Sequence, residues 1–203
     1  MQKANAIILA GGKNTRIARN KAFIQLAGKT VLENTINILQ KIFPQIIIVT
    51  NRKEAYLKFE AFVAADLIKE SGPLGGIFSG LCYSTSYYSF VIGSDMPFPQ
   101  IGLIQLLLQK CSNQDVVIPE TNGEVEPLFA VYSKNCLPVI FDHLQKHDLR
   151  IRHILGELRV ERVGEEEIDT VDPEHLSFFN INTPEDLKKA QTRLSRASNS
   201  GLV

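Results

Sequence analysis

The sequence lacks a surplus of either charge: 22 Lys and Arg offset 22 Asp and Glu, for a formal net charge of +0. That balance excludes a nucleic-acid backbone or an anionic membrane as the main partner, so any phosphate has to be held by local groups. Cysteine is scarce. The three residues, Cys82, Cys111 and Cys136, are odd in number, far apart and not in a Cys-x-x-Cys spacing. A disulfide framework and a thiolate zinc site are thereby excluded, a reducing cytoplasm is the expected compartment, and each cysteine reads as a small buried apolar residue. Long apolar runs are missing too: residues 6–10 are too few for a signal h-region or a membrane span. There is no internal repeat, and no linker rich in Gly, Ser or Pro divides the chain.

What is present is a globular composition of 203 residues, 44% hydrophobic and 22% charged. It predicts one domain over residues 1–194, with a frayed tail over 195–203. Short β-branched runs at residues 6–9, 46–50, 62–64, 89–92 and 116–118 alternate with helical patterns at 31–42, 51–59, 73–84 and 100–110. This is the order of an α/β fold, three-layered and doubly wound around a mostly parallel sheet. The second half predicts an antiparallel strand at 128–132, helices near 135–143 and 152–158, and strands near 159–163 and 178–180. A last helix starts at Thr183, where Thr-Pro-Glu-Asp supplies a cap, a proline in the first turn and early acidic charge.

The first strand runs into Leu9-Ala10-Gly11-Gly12-Lys13-Asn14-Thr15-Arg16, with Lys21 five residues on. Paired glycines allow a sharp turn whose N–H groups form an anion nest, and Arg16 and Lys21 add charge for phosphate oxygens. The pattern is neither a Walker loop nor a dinucleotide Gly-x-Gly-x-x-Gly. A plain turn is the competing reading of the glycines. Asp95 follows the strand at 89–92, where a carboxylate can hold Mg²⁺ on triphosphate oxygens or simply cap the next turn. Asn51 and Asp66 follow two other strands, as ribose or base contacts or as turn residues. In a parallel sheet Gly11, Asn51, Asp66 and Asp95 share one edge. Gly72-Pro73-Leu74-Gly75-Gly76 opens a helix with two poor helix formers, which implies close approach of a ligand or tight packing on the sheet. None of His143, His147, His153 and His175 is needed as a base, and all four read as surface groups.

These motifs, together with Lys21-Ala22-Phe23, the Gly28 turn, Asn51-Arg52, Ser94-Asp95-Met96-Pro97, the segment from Glu126 to Tyr132 and Asn180-Ile181-Asn182-Thr183-Pro184-Glu185-Asp186-Leu187, resemble the molybdenum cofactor guanylyltransferases. The resemblance implies a Rossmann-like fold of the nucleotide-diphospho-sugar transferase type. It further implies that Leu9, Ala10, Gly11, Gly12, Lys21, Asn51, Asp66 and Asp95 contact GTP, with Asp95 also on Mg²⁺ and Arg16, Lys21 and Asp95 catalytic. Asn180, Asn182 and the segment 126–132 would shape a molybdopterin pocket, and transient contact with cofactor-biosynthesis or molybdoenzyme proteins would follow. The loop departs from the family at Asn14, where a serine is usual, at Ile17-Ala18, where Met-Gly is usual, and at Asn20, often an aspartate. Ala18 adopts positive φ less easily than glycine, so a weaker nucleotide grip is expected. A cytidylyltransferase of the same superfamily and a non-catalytic nucleotide-binding relative are the alternatives.

Overall fold

A computed structural model describes residues 3–11, 21–26 and 28–199. The chain enters through β1 (Ala4–Leu9), then a small antiparallel hairpin, β2 (Gln25–Leu26) and β3 (Lys29–Thr30), with Gly28 at φ 83° in its turn. Next come α1 (Val31–Leu39), β4 (Ile46–Val49), β5 (Phe62–Ala64), α2 (Gly72–Tyr83), β6 (Tyr88–Gly93) and α3 (Ile101–Gln109). The second half holds β7 (Val116–Thr121), β8 (Glu124–Val125), β9 (Phe129–Ser133), α4 (Cys136–Gln145), α5 (Ile151–Ile154), β10 (Val160–Val163), α6 (Glu165–Asp169) and α7 (Pro184–Asn199).

The main sheet has the order β10-β7-β9-β6-β1-β4-β5, with β8 paired to β7. Strands β6, β1, β4 and β5 run parallel, β10 is parallel to β7, and β9 is antiparallel to both neighbours, as expected for residues 128–132. Alternate residues serve opposite faces. In β1, Ala4, Ala6 and Ile8 join Leu32, Ile36 and Leu39 of α1 and Leu103, Ile104 and Leu107 of α3. Ile7 and Leu9 point the other way, into Leu74, Ile77 and Leu81 of α2 and Ile140 and Leu144 of α4. Two apolar layers on one sheet explain why these strands are apolar throughout rather than alternating. A third, smaller cluster seats Leu187, Ala190 and Leu194 of α7 on Ile24, Leu26 and Val31, so α7 packs beside the hairpin that follows the glycine-containing loop.

Several local expectations are corrected. No strand forms at residues 178–180: the amides of Leu176 and Ser177 go to the Asp172 carboxylate, each at 2.9 Å, and a 3-10 turn (Leu176–Phe178) results. The helical stretch expected to residue 59 is a 3-10 turn, Lys53–Tyr56. Cys82 is exposed, because the buried stripe of α2 is taken by Leu74, Ile77 and Leu81. His143 is not a surface group. It is 8% exposed and lies between Glu157, 2.8 Å from Nε2, and Asp148, 3.2 Å from Nδ1. Among the described residues no helix is long and apolar enough to cross a membrane.

Candidate active site at the carboxyl edge of the sheet

Register brings four strand ends level. Leu9 pairs with Gly93 on one side and Val49 on the other, and Val49 pairs with Ala64. The ladder continues just past these ends, with Ala10 N donating to Val49 O at 2.9 Å, Ser94 N to Leu9 O at 3.1 Å and Thr50 N to Ala64 O at 2.9 Å. Gly11, Asn51, Asp66 and Asp95 therefore emerge from one edge, where open α/β sheets take their ligands.

Asn51 and Asp66 meet: Asn51 Nδ2 donates to Asp66 Oδ2 at 2.9 Å. Asp66 Oδ1 is buried and has no hydrogen-bond partner among the described residues. Burial holds the Asp66 carboxyl above its ordinary pKa, against the lowering effect of the Asn51 bond. An orphaned buried acceptor costs free energy unless a ligand supplies the donor. Asn51, Lys53, Asp66 and Lys69 line an open cleft of about 460 Å³, within the range of small-molecule sites.

Two glycines shape this edge. A Cβ on Gly76 would stand 3.0 Å from Leu9 Cδ2 and 3.7 Å from Asp66 Oδ1, so the glycine lets the first turns of α2 press onto the end of β1. Tight helix-to-sheet packing thus accounts for that residue of the Gly72–Gly76 segment. A Cβ on Gly93 would stand 2.9 Å from Asp95 Oδ1, so its absence leaves room for the carboxylate over the strand end. The Asp95 carbonyl accepts from Ile181 N at 3.0 Å, which docks the segment carrying Asn180 and Asn182 on the same edge. Asn180 turns its Nδ2 to Phe178 O at 3.0 Å, and the amides of Asn182 and Thr183 go to the Asp186 carboxylate at the start of α7. The donor set offers an ion one carboxylate, Asp95, and no group of three metal-ligating side chains occurs among the described residues. A single hard carboxylate fits Mg²⁺, which keeps water and phosphate oxygens in its other positions.

Gly12 and Arg16 lie outside the described residues, as do Asn14 and Ala18, and of Lys21 only the backbone is described, in a 3-10 turn (Lys21–Phe23). Gly93 was not foreseen as part of the site, although a glycine closing an apolar strand two residues before an aspartate is a usable signal. Nor was Tyr56, fully buried, with its hydroxyl 3.4 Å from Ala10 O and its ring 5.1 Å from Phe23.

Residues 6–163 match the model of the MobA-like NTP transferase domain. A protein of Desulfosudis oleivorans named molybdenum cofactor guanylyltransferase is 37% identical over 196 residues, covering 96% of this chain and 97% of its own. A probable molybdenum cofactor guanylyltransferase of Pelotomaculum thermopropionicum is 32% identical, covering 100% of this chain and 98% of its own. Among solved structures, molybdopterin-guanine dinucleotide biosynthesis protein A from Archaeoglobus fulgidus superposes with a TM-score of 0.84 at 29% identity, over 95% of this chain and 99% of that one. The 2-C-methyl-D-erythritol 4-phosphate cytidylyltransferase of Thermus thermophilus, at 18% identity and a TM-score of 0.70, shares the fold. On the match over residues 6–163 and the near full-length identity to these relatives, the chain belongs to the MobA-like NTP transferase family.

Proposed function

We propose that this enzyme transfers GMP from GTP to molybdopterin and releases pyrophosphate, in the cytoplasm. The observation that carries the reading is the level edge itself, where Gly11, the Asn51–Asp66 pair with its orphaned Oδ1, and Asp95 follow four adjacent parallel strands. The names of the relatives supply the substrates. A terminal phosphate oxygen of the acceptor forms a bond to the α-phosphorus of GTP while the bond from that phosphorus to the bridging oxygen of the β-phosphate breaks. No protein nucleophile is needed.

Leu9, Ala10, Gly11 and Gly12 would receive the phosphates, and Lys21 and Arg16 would offset charge on the transferring and leaving groups. Asn51 and Asp66 would hold the nucleoside, Asp66 Oδ1 gaining the donor it lacks. Asp95 would hold Mg²⁺, which when bound neutralises phosphate oxygens as a Lewis acid. Asn180 and Asn182 would border the acceptor, and product hand-over would involve transient contact with other cofactor-biosynthesis or molybdoenzyme proteins.

The test is pyrophosphate release from GTP and from CTP with Mg²⁺ and molybdopterin, for the wild type, Asp95→Ala and Lys21→Ala. Release from GTP alone, reduced about a hundredfold or more in both variants, is expected. Preference for CTP moves the assignment to a cytidylyltransferase. No release with either nucleotide leaves a nucleotide-binding protein without transferase activity.

A further inference from the structure

Tyr56 grips the chain on both sides of positions 12–20. It closes the 3-10 turn Lys53–Tyr56 that follows β4 and Asn51, and it is the one buried residue of that turn. At 0% exposure it is out of reach of a ligand. Its hydroxyl donates to Ala10 O at 3.4 Å, a long bond, on the residue that leads into Gly11. Its ring lies 5.1 Å from that of Phe23, which ends the 3-10 turn beginning at Lys21.

The grip is reinforced from the far side. Phe59 N donates to Tyr56 O at 3.1 Å, and the Phe59 ring stands 6.0 Å from Phe23 and 6.3 Å from Tyr56. The Lys58 ammonium lies 5.2 Å from the centroid of Phe23 and 5.0 Å from that of Phe59. Three side chains of the β4–β5 connection thus hold Phe23, by ring packing and by cation–π attraction. The same connection starts at Asn51, which is fixed separately by its 2.9 Å bond to Asp66. A buried tyrosine hydroxyl needs a polar partner, whereas an apolar side chain fills the same space without one, so packing alone does not require the hydroxyl.

We propose that Tyr56 is a positioning residue: holding Ala10 through its hydroxyl and Phe23 through its ring, it sets the separation of Gly11 and Lys21, the groups that receive the phosphates and offset their charge. The roles of those two residues rest on the guanylyl-transfer reading. A displacement of about 1 Å, caused away from the reacting atoms, is enough to cost about a hundredfold in rate.

The experiment uses the full chain as wild type, Tyr56→Phe and Tyr56→Leu. GTP and guanosine, each with Mg²⁺, displace a fluorescent N-methylanthraniloyl GTP, and dinucleotide formation is followed with GTP, Mg²⁺ and molybdopterin. Tyr56→Leu, which loses ring and hydroxyl, weakens GTP about tenfold or more and lowers kcat about a hundredfold. Tyr56→Phe, which loses only a long hydrogen bond, shows a smaller loss of about threefold in both. Guanosine affinity and the KM for molybdopterin stay within about twofold, because the Asn51–Asp66 pair and the acceptor side keep their contacts. A merely structural tyrosine would lower the affinity for GTP and guanosine alike. Where Tyr56→Leu does not fold, the threefold effect of Tyr56→Phe on GTP, without one on guanosine, decides.

Equal losses for GTP and guanosine, or unchanged GTP affinity in both variants of a wild type that makes dinucleotide, overturn the inference alone. A wild type that binds GTP with the expected variant pattern but makes no dinucleotide overturns the transfer reading and keeps the positioning role. One that binds no GTP overturns both.

Discussion

Asn51 and Asp66, which follow adjacent parallel strands, share one hydrogen bond of 2.9 Å that uses Oδ2 and leaves Oδ1 buried without a partner among the described residues. The bond fixes the carboxylate plane and leaves the second oxygen buried beside Gly76 of α2, where a Cβ would stand 3.7 Å from it.

Asp66→Asn keeps the shape and removes the charge. The KM for GTP should rise about tenfold or more, since one buried acceptor is exchanged for a donor. The folded-state pKa of Asp66 lies above its ordinary value of 3.8, so its protonated form favours folding. That contribution is fully present below the ordinary value and is lost as pH rises through the raised one. Urea midpoints at neutral pH should therefore be equal or higher in the variant, and its stability should change less with pH across the mildly acidic range. A clearly lower midpoint with an unchanged KM would make Asp66 a structural residue.

Gly93→Ala places a methyl 2.9 Å from Asp95 Oδ1, at the movable end of a side chain. The carboxylate should swing away while the strand stays intact. Turnover should fall about tenfold to a hundredfold, the scale of a small misplacement at a reacting centre. The thermal midpoint should stay within about 3 °C. A large drop in midpoint with normal turnover of the folded fraction would contradict the link between these residues.

His143 is held by Glu157 and Asp148, and Asp148 also accepts from His153 Nδ1 at 2.7 Å and from Arg150 Nε at 3.2 Å. The bond to Glu157 is the largest cause that raises the His143 pKa above 6.5, with Asp148 adding to it against burial. The imidazolium thus stabilises the fold fully below its unfolded value, and the gain is lost as pH rises through the raised one. Denaturant midpoints should fall as pH rises above the ordinary value of 6.5, and His143→Gln should flatten that slope. An identical slope in the variant would assign the pH dependence elsewhere.

The layers and most strand ends were legible because burial on both faces demands uninterrupted apolar runs, such as Ile46-Ile47-Ile48-Val49, and few other structures do. The places of Asp95 and Asp66 just past two parallel strands were legible for a related reason, since polar residues that follow such runs fall at the carboxyl edge of the sheet. The 3-10 turn at Leu176–Phe178 was not, because Asp172, rather than a neighbouring strand, takes the amides there. His143 was misread because its partners are Asp148 in the loop after α4 and Glu157 in a 3-10 turn fourteen residues on, and residue type alone does not reveal them.

By itself the sequence determined the order of the parallel strands β1, β4, β5 and β6 with helices α1, α2 and α3, the family resemblance and the residues that follow each of those strands, all of which depend on local pattern and spacing. Only the tertiary structure decided that Asp66 keeps one oxygen orphaned among the described residues and that Gly93 makes room for Asp95. The physical reason is that burial and hydrogen-bond satisfaction are set by sheet register and helix packing, which bring together groups 15 to 40 residues apart, as with Asn51 and Asp66 or Asn5 and Gln45.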